Sequence, residues 1–111
     1  MATETLKVLS QTVPAATTLT DSYTVPGATQ AAVSTIVVAN RSSSAQTFRI
    51  SVAVAGAADA TKQYLFYDIS IAGNDTFAAT VGLSLGAADV VRVWASSTDL
   101  SFNVFGAEVT P

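Results

Sequence analysis

The 111-residue sequence contains no cysteine and no histidine. Their joint absence excludes disulfide staples, thiol nucleophiles, Cys/His metal centres and every mechanism that relies on an imidazole. Charge is also scarce. Lys and Arg number 5 and Asp and Glu 8, so charged residues make up 12% of the chain, against about 25% in ordinary globular domains. The cations Lys7, Arg41, Arg49, Lys62 and Arg92 are scattered, and no basic stripe of the kind that engages nucleic acid can be drawn. Ser, Thr, Asn or Asp recurs every few positions, so no window approaches the roughly 18 apolar residues of a membrane helix. Glu4 precedes any apolar run, and the N-terminus does not read as a signal peptide. No cofactor, nucleic-acid partner or membrane partner is expected.

What remains is hydrophobic. Half of the residues are apolar and the mean hydropathy is +0.45, the opposite of the low hydrophobicity and high net charge that keep a chain disordered. The length suits one domain, residues 1–111, able to bury about 65% of its unfolded surface.

The hydrophobic period is that of strands. In Thr47-Phe48-Arg49-Ile50-Ser51-Val52-Ala53-Val54, Phe48, Ile50, Val52 and Val54 fall on one face and Thr47, Arg49 and Ser51 on the other, the pattern of a half-buried antiparallel strand. Similar runs occupy residues 6–13, 17–25, 32–40, 63–71, 76–83, 90–96 and 100–109. Between them lie turn residues: Pro14-Ala15-Ala16, Pro26-Gly27, Asn40-Arg41-Ser42-Ser43-Ser44, Gly73-Asn74-Asp75 and Ser96-Ser97-Thr98-Asp99. The tetrapeptide Gly-Ala-Ala-Asp occurs at 56–59 and again at 86–89, which predicts similar turn geometry more readily than a true repeat. The expected fold is all-β: an antiparallel, jelly-roll-like β-sandwich of about eight short strands, with residues 1–13 as an N-terminal arm or edge strand.

Carboxylates are the only candidate acids and bases. Glu4, Asp21, Asp59, Asp68, Asp75, Asp89, Asp99 and Glu108 show neither the spacing of a calcium loop nor an evident glycosidase pair, and no serine lies in a nucleophile elbow. Asp59, Asp75, Asp89 and Asp99 read as turn residues that bond the backbone two positions on. Asp68 and Glu108 lie within predicted strands, and cross-strand ion pairs with Arg49 or Arg92 are expected. No catalytic, cofactor-binding or metal-binding residue is assigned.

Large side chains on faces that ought to be wet are more informative. Burying Leu100, Phe102 and Val104 leaves Phe105 outside; burying Val91, Val93 and Ala95 leaves Trp94 beside Arg92. The run Tyr64-Leu65-Phe66-Tyr67 is bulky on both faces. Tyr64, Phe66, Trp94 and Phe105 are therefore candidate interface residues. A sugar-stacking platform built from Trp94, Tyr23, Tyr64 or Tyr67, and ordinary burial with the register off by one, are the competing readings.

Six motifs stand in order along the chain: Asn40-Arg41-Ser42, Thr47-Phe48-Arg49-Ile50, Tyr64-Leu65-Phe66-Tyr67-Asp68, Asn74-Asp75-Thr76, Leu83 through Val93, and Phe102 to Glu108. In this order, residues 36–110 resemble small β-sandwich structural proteins of tailed-bacteriophage virions. The resemblance implies a non-enzymatic virion part made in the bacterial host cytoplasm. It implies first a capsid decoration or cement protein, a homotrimer seated on the capsid exterior against the major capsid protein. A tail or fibre domain, with carbohydrate recognition of a receptor, is the alternative.

Overall fold

A computed structural model describes residues 2–111. Eight strands follow one another: β1 (Thr3–Thr12), β2 (Thr20–Thr24), β3 (Gln30–Asn40), β4 (Gln46–Ala53), β5 (Tyr64–Ile71), β6 (Thr76–Leu85), β7 (Val90–Ala95) and β8 (Leu100–Thr110). Each coincides with an expected strand to within a few residues at its ends. Among the described residues the helical pieces are two 3-10 turns in the β4–β5 connection, Val54–Gly56 and Thr61–Gln63. All pairings are antiparallel.

The strands form two four-stranded sheets, A in the order β1-β8-β3-β6 and B in the order β2-β7-β4-β5. Successive strands pass mostly from one sheet to the other, the jelly-roll arrangement expected from the sequence. Residues 3–12 form an edge strand paired with β8 along its length.

Period-2 alternation drives the fold. Ile36 and Val38 of β3 and Leu100, Phe102 and Val104 of β8 point inward from sheet A and are fully buried. Phe48 and Ile50 of β4 and Val91 and Val93 of β7 meet them from sheet B. Toward the β5 and β6 edges four phenylalanines interlock across the sandwich, Phe48 and Phe102 fully buried and Phe66 and Phe77 partly so. The Phe48 ring centroid lies 5.2 Å from Phe77, 6.2 Å from Phe102 and 6.4 Å from Phe66, and Phe66 lies 5.6 Å from Phe77. All four pairs are tilted or edge-on, the geometry that the ring quadrupole favours.

Close packing appears in the backbone as well. A Cβ on Gly106 would collide with the Ala32 carbonyl on the neighbouring strand, so β8 approaches β3 there only because residue 106 has no side chain. Asn40, buried at the end of β3, donates its amide to the carbonyls of Ser44, Ile71 and Ala72 and accepts from the Ser42 N–H. One side chain thereby ties the β3–β4 turn to the end of β5.

Some local expectations differ from the outcome. The two Gly-Ala-Ala-Asp copies adopt different structures. Residues 86–89 form a tight turn closed by Asp89, whose carboxylate accepts the Gly86 N–H, whereas 56–59 runs out of a 3-10 turn. Asp89 also accepts the Ala55 N–H, and Asp75 accepts from the adjacent Thr76 N–H, so these aspartates do not reach two residues forward. Ser51, expected on a wet face, is fully buried with Ala53 and Val90. The β4–β5 connection lies against that end of sheet B: the Arg92 guanidinium donates to the Ala57 and Gly56 carbonyls.

Because Phe48 is fully buried and contacts all three of the other phenylalanines, Phe48→Ala is expected to cost about 3–5 kcal/mol. Urea unfolding should show a lowered midpoint with an unchanged slope. A loss below about 1 kcal/mol would mean that the cluster does not hold the core together.

Candidate interaction surfaces

The outward faces of the two sheets point in opposite directions and differ in chemistry. On sheet A the register aligns three rows across all four strands: Leu6–Ala107–Ala32–Ser84, Val8–Phe105–Thr35–Thr80 and Gln11–Asn103–Val37–Ala78. None of these side chains is ionisable. Glu4, opposite Val109 at one end, is the only charged side chain among the described strand residues of this face. Leu6 is 79% exposed and Val8 47%, so the β1 side of the face presents apolar surface to solvent.

The outer face of sheet B concentrates charge and aromatic rings. Arg49 of β4 stands opposite Trp94 of β7, and its guanidinium lies 4.1 Å from the Trp94 ring and 4.2 Å from the Tyr67 ring. The cation is held between the two aromatics. Its Nε and Nη2 donate to the two Asp68 oxygens at 2.6 and 3.3 Å, and this bidentate pair keeps the guanidinium firmly charged. Tyr64 packs edge-on against Tyr67, with centroids 5.1 Å apart.

Two bulges in β5 assemble this cluster. Strict alternation would place Tyr64 and Phe66 on one face and Leu65 and Tyr67 on the other. Instead the register slips on both sides of Ile50, and Asp68 takes a left-handed conformation at φ 52°, which aspartate tolerates better than most residues. Tyr64, Tyr67 and Asp68 therefore gather on the outer face, while Phe66 turns into the core.

The four candidate interface residues do not form one surface. Tyr64 and Trp94 share the outer face of sheet B, Phe105 lies on the opposite outer face, and Phe66, partly buried, packs against the core from the inner side. Of the expected ion pairs, Arg49–Asp68 forms. Arg92 instead pairs with Asp21 at 2.9 Å, directly opposite it in β2. Glu108 pairs with Lys7 of β1 at 3.1 Å. Tyr23 is no stacking platform: it is buried, and its hydroxyl donates to Glu108 at 2.5 Å.

This last contact joins the sheets. Tyr23 belongs to sheet B and Glu108 to sheet A, and 85 residues separate them, so no local spacing could reveal the pair. The Tyr23 hydrogen bond, and after it Lys7, holds the Glu108 carboxyl below the usual glutamate range. Burial, reinforced by the Glu108 bond, raises the Tyr23 phenol.

Among the described residues, no group of three or more acidic side chains is placed to hold a metal ion. An open cleft of about 460 Å³ lies where the β2–β3 and β6–β7 turns meet the end of β8, lined by Ala28, Thr29, Gln30, Ala87 and Val109 among others. Among the described residues, no Asp, Glu, Lys or Arg lines it. Comparison with protein-family models, with curated proteins and with solved structures yields no match to this chain.

A depressed carboxyl stabilises the fold above its ordinary value, about 4.3, and that stability is lost as pH falls through the lower folded value. Tyr23→Phe should therefore lower stability at neutral pH by about 1–2 kcal/mol and reduce its decline on acidification. Thermal melts between pH 7 and pH 3 test this; parallel curves for the two proteins would show that the inter-sheet bond contributes nothing.

Proposed function

We propose that this protein is a non-enzymatic structural component of a tailed-bacteriophage virion, a capsid decoration or cement protein seated on the outer surface of the major capsid lattice. The observation that carries the reading is the outer face of sheet A, where three rows spanning four strands lack ionisable side chains and Leu6 and Val8 stand exposed. Interface centres are typically depleted of charge, and a flat face of alanine, valine, serine and threonine suits broad contact with another protein. The sequence resemblance supplies the kind of partner. The cleft without ionisable residues and the engagement of Arg49, Asp68, Arg92 and Glu108 in ion pairs fit a structural part.

The alternative, a carbohydrate-binding tail or fibre domain, draws on the Trp94–Arg49–Tyr67–Tyr64 cluster. Two features weigh against it. Arg49 fills the space between the Trp94 and Tyr67 rings, and the Tyr64 and Tyr67 rings stand at 89° to one another, so they offer no coplanar platform for a sugar ring. A glycan array with Trp94→Ala as its control separates the two readings, since a cement protein should bind no glycan.

Purified protein added to capsids that lack it should bind and raise their unfolding temperature. Leu6→Glu with Val8→Lys, both at exposed positions, should weaken binding at least about tenfold, because charge would have to be desolvated on the seat, while leaving the free protein's melting temperature nearly unchanged. Absence of both binding and stabilisation would overturn the reading.

A further inference from the structure

Each sheet has two free edges: β1 and β6 in sheet A, β2 and β5 in sheet B. An edge exposes a row of backbone donors and acceptors that is a ready template for pairing with another extended chain, and proteins blunt such edges with charge, proline, bulges or brevity. Three of the four are blunted. β1 carries Glu4 and Lys7 and a register shift beyond Val8; β2 is short, bulged and carries Asp21; β5 has two shifts and Asp68. β6 is the exception. Its ten residues, Thr76 to Leu85, include no charge and no proline. Its irregularity is confined to the stretch around Gly82, so Thr76 to Thr80 pair regularly with β3.

That regular stretch, Thr76-Phe77-Ala78-Ala79-Thr80, is nearly symmetric about Ala78. Thr76, Ala78 and Thr80 are exposed on the outer side, and Phe77 packs against the core from the inner side. We propose that β6 pairs antiparallel with β6 of a second copy about a two-fold axis through Ala78. In this register Ala78 faces its own counterpart, Thr76 faces Thr80 and Phe77 faces Ala79. Side-chain parity holds, since every pair lies on the same side of the sheet. Threonines meet threonines on the outer side, and the one large ring meets a methyl group on the inner side. A different protein would have to supply this complementary pattern; a second copy supplies it by symmetry.

The pairing extends sheet A to eight strands and turns both charge-poor outer faces to the same side. An isologous contact closes after two subunits, so it departs from the trimer implied by the sequence resemblance. It does not depend on the virion reading, and capsid binding and self-association are measured separately.

Light scattering over a concentration series should show the native chain moving from 11.3 kDa to twice that mass. Ala78→Lys, which sets two ammonium groups face to face on the axis, should remain monomeric with an unchanged circular dichroism spectrum. Because the chain has no cysteine, Ala78→Cys gives a single thiol at the axis and should oxidise to a disulfide-linked dimer much faster than Thr98→Cys, in the exposed β7–β8 turn. A native chain that stays monomeric or forms a trimer, or equal cross-linking of the two cysteine variants, would overturn the proposal.

Discussion

The structure depends on the contact of Phe48 with phenylalanines from both sheets. Without cysteine, no disulfide can hold the layers of this sandwich. The sheets adhere because alternate side chains on β3, β4, β7 and β8 interdigitate, and Phe48 and Phe102 carry that interface out to Phe66 and Phe77 on the edge strands through four tilted ring contacts. Phe66 reaches the cluster only because β5 bulges. The same bulges carry Tyr64, Tyr67 and Asp68 to the outside, so the packing of the core and the composition of one surface are a single event in the backbone.

That coupling explains why the two outer faces differ. Sheet B needs Arg49 to neutralise Asp68 and to fill the gap between Tyr67 and Trp94, and it needs Arg92 to hold the β4–β5 connection through backbone carbonyls. Its charges are thus engaged in keeping bulged strands and a long connection in place. Sheet A has no such connection to anchor, so alanine, serine, threonine and valine make up most of its outer face. The scarcity of charge noted in the sequence is a property of this face and of the β6 edge more than of the whole surface, and both lie where another protein can approach.

Strand positions were legible because period-2 alternation is a local property, and turn residues punctuate it. Leu100, Phe102 and Val104 inside, with Phe105 and Trp94 outside, followed from that rule alone. The rule failed at Phe66, where the register slips, and at Ser51, which a connection from elsewhere in the chain covers. The Arg49–Asp68 pair was accessible because β4 and β5 are consecutive strands joined within one sheet. The partners of Arg92 and Glu108 were not, because β2 and β7, and β1 and β8, become neighbours only through the winding of the jelly roll.

The sequence by itself determined the fold class, the approximate number of strands and the buried face of the regular strands, since these follow from alternation, β-propensity and turn chemistry. Tertiary structure decided the order of strands in the sheets, the inter-sheet bond from Tyr23 to Glu108, the cluster around Arg49 and the identity of the unprotected edge. These depend on contacts between residues far apart in the chain and on where the backbone bulges, and neither leaves a mark in a local pattern.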